Sequence, residues 1–331
     1  MSHPNPVQDF LSRVALGPSQ AHKALTLWPL VWPEGAAPSG PACVPLSQAL
    51  ARKTVRVDEL DEDGSVPHVR LTNDGKESVL FLFGEEILGA KQNRVANATF
   101  LVPPKSTVVV DVSCVEAGRW SRRRGHGFSA SSESISSLLR MKMAAKVSRS
   151  LSEGRGFHAD QAQVWDEIRG RLRSAGVRSP TSAWSDYKEN LGADVEEIEQ
   201  PLHPLERQVG FVAMLGNECV GLEALGRSDV FAASFQTLVR SYTIDAADGA
   251  LARKDRTSGG PVRFDGPEAF LAALREAPVT RMPSRGLGQD LRIETPQVSA
   301  CALSCGGLVH LTAFPAEAGS GYGAGKRARR A

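Results

Sequence analysis

Residues 84–94 read GEEILGAKQNR, which places two carboxylates, Glu85 and Glu86, shortly before two cations, Lys91 and Arg94, with the amides Gln92 and Asn93 between the cations. Paired carboxylates can serve as general acid and base, cations hold an anionic group, and side-chain amides read hydroxyls in both donor and acceptor senses. That set suits a phosphorylated sugar or a nucleotide. Downstream, Ser113-Cys114-Val115-Glu116 follows a β-branched run and adds Glu116, a second candidate acid/base, and then Arg119, a further cation. Cys114 has no histidine in its stretch to activate it, so it reads as a buried thiol before it reads as a nucleophile. Later, Glu223 and Arg240, with Tyr242 and Asp245, flank a hairpin-to-helix transition and complete the candidate ligand-binding set. The same residues admit a plainer reading, an internal polar network that fixes one hairpin to another.

A sheet must hold these groups, and the sequence predicts one. Leu25 to Trp32, Val55 to Leu60, His68 to Thr72, Val79 to Phe83, Phe100 to Val102 and Thr107 to Val112 have strand composition or alternation. Asn73-Asp74-Gly75 signals a hairpin into the strand at Val79, and the Ser/Arg/Gly-rich stretch from Ser121 to Ser134 reads as a loop. Helical spacing then runs from Ile135 to Leu151. A second helix is capped by Asp160, and a third starts near Ala183 and stops at Gly192, before the acidic run Glu196, Glu197, Glu199. A hairpin turning at Gly216-Asn217, helices after Ser228 and at Pro267, and strands at Leu291, Val298 and Leu308 follow. Gly84 to Gly89 and Gly216 to Gly221 share a Gly-x-Glu-apolar-apolar-Gly frame, which shared turn chemistry explains more simply than a repeat. The expected class is α+β, with two β-rich halves of short, mostly antiparallel strands (10–120 and 205–315) separated by a helical segment (130–200). Together they form one domain over 10–315, followed by a disordered basic tail at 316–331.

Composition narrows the partners. With 39 Lys+Arg against 37 Asp+Glu in 331 residues, no global field selects nucleic acid or membrane. The dense cationic run at Arg119, Arg122, Arg123, Arg124 and His126, with Arg140, Lys142, Lys146 and Arg149 on the next helix, can meet phosphates. It lacks interleaved aromatics beyond Trp120 and Phe128, so nucleic-acid binding through this run and the tail is the weakest alternative. Five scattered cysteines fit reduced thiols, and the start, MSHPNPVQDFLSRVALG, has no signal-peptide pattern, so a cytoplasmic location is the expectation. The seven histidines show no metal-ligand spacing, and no phosphate-binding P-loop or Gly-x-Ser-x-Gly elbow occurs. No metal is therefore expected, the cofactor and protein partners stay unassigned, and the residues leave open whether a reaction is catalysed.

The long pattern Gly-Glu-Glu-x-x-Gly-Ala-Lys-Gln-Asn-Arg, then Val-Ser-Cys-Val-Glu-x-Gly-Arg-Trp, resembles the ARPP family, named for association with ADP-ribosylglycohydrolases and rhodanese-phosphatase-superfamily proteins. Further matches are Asp160-Gln161 with Val164-Trp165, Gly221-Leu222-Glu223, Arg240-Ser241-Tyr242, and His310-Leu311 with Phe314. The likeness covers about residues 10 to 315. It implies a domain of unknown function with a proposed link to NAD and ADP-ribose metabolism, an association and not a mechanism. Its matching polar positions are Glu85, Glu86, Lys91, Gln92, Asn93, Arg94, Cys114, Glu116, Arg119, Glu223 and Arg240. The leading expectation is binding, with or without processing, of a small phosphorylated nucleotide or ribose derivative, with Lys91, Arg94 and Arg119 facing its anionic groups; a non-catalytic scaffold is the rival.

Overall fold

Alternating apolar residues along the strands build three sheets, which the computed structural model describes over residues 5–60, 67–89, 91–118, 128–249 and 261–317. The largest has nine strands. Its path runs β1 (Ala15–Leu16), β3 (Leu25–Val31), β13 (Gln208–Leu215), β14 (Glu218–Leu225), β18 (Leu308–Pro315), β17 (Val298–Ser304), β16 (Gln289–Glu294) and β15 (Thr280–Pro283), with β2 (Gln20–His22) paired to β3. A six-stranded sheet runs β12 (Phe128–Ser134), β8 (Glu85–Gly89), β9 (Arg94–Ala96), β11 (Ser106–Cys114), β6 (His68–Asn73) and β5 (Val55–Asp58). The third holds β10 (Phe100–Val102), β7 (Ser78–Phe81) and β4 (Cys43–Pro45). Pairing is antiparallel except for β4 beside β7. The class is α+β.

Helices close the faces these sheets leave apolar. Helix α1 (Pro6–Arg13) and α7 (Pro267–Glu276) cover one face of the large sheet, burying Phe10 and Phe270 with Leu30, Val212, Leu222 and Leu311. Across the sheet, α6 (Ser228–Asp248) packs Phe231, Leu238 and Tyr242 on Leu27, Phe211 and Leu225. Helix α2 (Leu46–Ala51) packs into the core of the two smaller sheets, and α3 (Ser137–Ser152), α4 (Gln161–Ser174) and α5 (Trp184–Glu199) form a further core around Trp184 and Tyr187. Ser136 caps α3 through Leu139 N–H, and Asp160 caps α4 through Gln163 N–H, satisfying donors that a helix start otherwise leaves bare.

Several local expectations change in the fold. Asn73-Asp74-Gly75 is a turn but closes no hairpin, because β6 pairs with β5 and β11 while β7 pairs with β4 and β10. Asn73 instead accepts from Gly75 N–H and donates to the carbonyls of Glu77 and Pro103, tying one sheet to the next. Helix α5 runs through Gly192 to Glu199, because packing of Leu191, Val195 and Ile198 outweighs one glycine's poor helix propensity. The serine-rich stretch predicted as a loop becomes strand β12 from Phe128, held on β8. The first three strands join the sheet otherwise built by residues 208–315, a pairing that no local pattern can announce. Ordered backbone reaches Glu317, and the remainder of the predicted tail lies outside the described residues.

Two glycines give opposite expectations. A Cβ on Gly226 would overlap the backbone oxygens of Leu308 and Ser39, which cannot yield as a side chain does. Gly192, inside α5, has nothing within 4 Å of such a Cβ. In urea titrations Gly226→Ala should lose at least about 1–3 kcal/mol, and Gly192→Ala should gain about 0.5–1 kcal/mol; equal effects would contradict this packing.

Candidate functional site

Strand alternation sorts the predicted polar residues before any ligand is considered. On β8, Glu85 and Glu86 leave opposite faces. Glu85 Oε2 accepts from Leu82 N–H at 3.0 Å and closes the turn that leads into the strand. It is buried with no cation of the described residues on it, and burial, opposed by that backbone hydrogen bond, pushes its carboxyl up to about 8. Glu86, fully buried, turns to α5, where Lys188 Nζ donates to its Oε2 at 2.6 Å; among the described residues no hydrogen bond reaches its Oε1.

The amides and cations that follow hold the β8–β9 turn and the end of β11. Gln92 Nε2 donates to the Glu116 carbonyl at 2.7 Å, and Asn93 Oδ1 accepts from Gly89 N–H at 3.2 Å. Arg94 is fully buried and gives one nitrogen to both oxygens of Glu59, at 3.0 and 3.1 Å. Arg94, expected to face an anionic ligand, here pairs with Glu59 of the protein itself. Lys91 and Glu116 are buried within the same structure, and Glu116 bridges Ala183 at the start of α5. Arg119, Trp120, Arg122 to Arg124 and His126 lie outside the described residues. Gln161, one residue past its helix cap, clamps the Cys114 backbone by two hydrogen bonds of 2.8 Å, and burial raises the Cys114 thiol to about 11, which keeps it protonated.

Glu223 lies elsewhere, on the face of the large sheet opposite Leu222 and Ala224, in register with Thr312. Around it is a fully buried polar cluster. Arg140 Nη1 donates to Glu223 Oε1 at 2.6 Å, and Tyr242 and Thr312 hydroxyls donate to the same oxygen at 2.9 and 2.8 Å. Arg140 also reaches Ser241 and Thr312, and its guanidinium lies 5.2 Å from the Phe83 ring and 5.8 Å from that of Phe314. Burial alone would raise the Glu223 carboxyl, but Arg140 and His310 outweigh it and hold it at about 2. Burial lowers His310, keeping the ring neutral. The ionised Glu223 can only accept, so the neutral His310 ring carries its proton on Nε2 and donates to Glu223 Oε2 at 3.1 Å; Nδ1 then accepts from the Thr99 hydroxyl, whose oxygen accepts from Phe83 N–H. The sequence groups Arg140 with a phosphate-facing helix surface; it is instead fully buried, and its companions Lys142, Lys146 and Arg149 pair with Glu167, Asp160 and Glu153.

Two glycines in these motifs are required by this cluster. A Cβ at Gly84, where φ is +79°, would stand 2.7 Å from Arg140 Cδ, and one at Gly221 would stand 2.6 Å from the Tyr242 hydroxyl. The motifs at 84, 221–223, 240–242 and 310–314 thus meet around one guanidinium. Residues 13–314 match the family model described as ARG and Rhodanese-Phosphatase-superfamily-associated Protein domain, ARPP-1. The chain belongs to the ARPP-1 family. No curated protein and no solved structure shows a significant match to it.

Arg240 points away from the Arg140 cluster and lines a cavity of about 440 Å³ bounded by β12, α5 and α6 in the ARPP-1 chain. Its Nε and Nη2 bind the two oxygens of Glu199 at 2.5 and 2.6 Å, and its Nη1 lies 3.5 Å from Glu133. Lys188, on the same wall, contacts both Glu86 and Glu133. One carboxylate, Glu133, therefore bridges two cations. A larger cavity, about 760 Å³, opens by the β13–β14 turn near Phe264; of the polar residues singled out in the sequence it gathers Asp245 alone. Lys188 and Glu133 carry no local sequence signal, since helix-surface lysines and serine-rich strands are ordinary. His68, Asp111 and His158, which fixed spacing does not link, also come together in the fold. Among the described residues no helix is long and apolar enough to cross a membrane.

Glu85 generates a pH prediction. Between about pH 4.5 and 8 the folded protein keeps a proton that the unfolded chain releases, so this group's contribution is complete below that window and is lost as pH rises through it. Glu85→Gln keeps the acceptor for Leu82 N–H without the charge. Its urea midpoint, relative to the parent, should rise steadily from about pH 5 to about pH 8; a flat difference would show that Glu85 ionises freely in the fold.

Proposed function

We propose that this protein binds a phosphorylated ribose derivative in the cavity between β12, α5 and α6. The observation that supports the reading is the position of Glu133, whose two oxygens meet Lys188 and Arg240. A phosphate has the charge and the acceptor geometry to take that carboxylate's place. Lys188 would keep Glu86 and Arg240 would keep Glu199, so neither cation needs to reorganise its buried side. The other lining carboxylates, Asp186, Glu189 and Glu196, are acceptors suited to ribose hydroxyls, and they weigh against a bare polyphosphate. The volume fits a small ligand. The family description, with its association with ARG and rhodanese-phosphatase proteins, is in keeping with a ligand of this kind.

A structural role is the better reading for the motif residues themselves. Glu85, Gln92 and Asn93 are turned to backbone groups, and Arg94 and Glu223 to buried charges of opposite sign. They hold the frame against which the cavity is set.

Calorimetric titration with ribose 5-phosphate and ADP-ribose tests the binding proposal. Glu133→Gln removes the internal competitor and should tighten binding about tenfold, whereas Arg240→Met should abolish it with the fold retained. No heat from either ligand, or weaker binding in Glu133→Gln, would refute the assignment.

A further inference from the structure

The six-stranded sheet carries a second group of functional side chains that the cavity does not use. His68 on β6 and Asp111 on β11 are direct partners in the antiparallel ladder, so their side chains leave the same face side by side. His158 arrives from the connection between α3 and α4, its ring edge-on to that of His68 with centroids 5.8 Å apart. One ligand atom from each of the three residues lies within 4.8 Å of the other two, and His68 Nε2 is 3.5 Å from Asp111 Oδ1.

Three features make this more than a meeting of polar groups. Asp111 is fully buried, and among the described residues no hydrogen bond closes on its Oδ1, whose near neighbour is the His68 ring at 3.5 Å; a carboxylate oxygen so placed gains from a cation. Its Oδ2 accepts from Arg285 Nε at 2.9 Å, which fixes the carboxylate plane and leaves Oδ1 as the open donor atom. The connection bearing His158 is itself pinned, with Asn97 Nδ2 on the Phe157 carbonyl at 2.9 Å and the Arg285 guanidinium 5.9 Å from the Phe157 ring.

We propose that His68, Asp111 and His158 bind one divalent first-row transition ion, with two imidazole nitrogens and one monodentate carboxylate oxygen as protein ligands. Bond lengths of about 2.0–2.2 Å to such an ion place neighbouring ligand atoms roughly 3.0–3.6 Å apart. The His68–Asp111 separation already lies in that range, and the half-buried His158 ring closes the remainder by turning about its side-chain bonds. Two imidazoles and a carboxylate are borderline ligands that suit zinc, iron(II), cobalt or nickel better than magnesium or calcium. Three protein ligands leave coordination positions for water or a small oxygen ligand, which is the arrangement of a reactive and not a purely structural centre. The Arg285 cation beside Asp111 opposes a second positive charge and moderates the affinity.

Titration of the untagged 331-residue chain with Co²⁺ and then Zn²⁺ tests this. One equivalent of Co²⁺ should give visible bands of a nitrogen and oxygen site without the charge-transfer absorption of thiolate ligands, and Zn²⁺ should displace it and raise the melting temperature. His158→Gln should lower Co²⁺ affinity at least tenfold while the metal-free melting temperature stays unchanged. Asp111→Asn should do the same; should it fail to fold because Arg285 loses its partner, the His158 variant still decides. Absence of stoichiometric Co²⁺ binding, a thiolate spectrum, or equal affinity in His158→Gln would overturn the assignment.

Discussion

A guanidinium and a carboxylate buried against each other, Arg140 on α3 and Glu223 on β14, are the constraint on which the rest of this molecule depends. Each alone would be a severe desolvation cost in the core. Together they are tolerated because each offsets the other's charge and the surroundings add hydrogen bonds, Tyr242 and Ser241 from α6 and Thr312 and His310 from β18, with Phe83 and Phe314 against the guanidinium; Arg140 Nε has no hydrogen bond among the described residues. The His310 ring extends the network through Thr99 to Phe83 N–H, beside the turn that starts β8. The large sheet, the three-helix segment and the Glu85-Glu86 strand are thereby held in one arrangement. Such a network specifies geometry more surely than it adds stability, because any misplacement leaves a buried charge unpaired.

The geometry of the cavity follows from that arrangement. Ser241 and Tyr242 fix the inward side of α6, and one residue earlier Arg240 emerges on its other side to meet Glu199 and Glu133. On β8 the inward-turned Glu85 and the outward-turned Glu86 do the same, delivering Glu86 to Lys188. The polar motif thus supports the cavity from behind. Its buried groups bond within the protein, and Lys188, Arg240 and Glu133 stand at the cavity's edge.

Much of this is legible in the sequence, and what is not has a physical reason. The strands at Leu25, Val209, Glu218, Val298 and Leu308 and the helices capped by Asp160 and begun by Pro267 follow from alternation, capping and turn chemistry, which are local. Glu223 is recognisable as unusual, being a carboxylate in the apolar interior of a strand that starts at Glu218. Its partner is not, since Arg140 sits among basic residues on a helix whose other cations do face carboxylates nearer the surface. The same limit hides β12, which depends on β8 for its pairing, and the grouping of His68, Asp111 and His158, which spacing along the chain cannot show. Arg94 stands out in the sequence by its charge, and only the fold reveals that Glu59 has claimed it.

A double-mutant cycle on Arg140→Met and Glu223→Gln, read by urea denaturation at neutral pH, bears most directly on the buried pair. Each single variant strands a charge and should cost about 3–5 kcal/mol. The double variant strands none, so it should cost less than the sum by at least about 2 kcal/mol, or fold where a single variant does not. Strictly additive losses, or single losses within about 1 kcal/mol of the parent, would contradict the organising role of this ion pair.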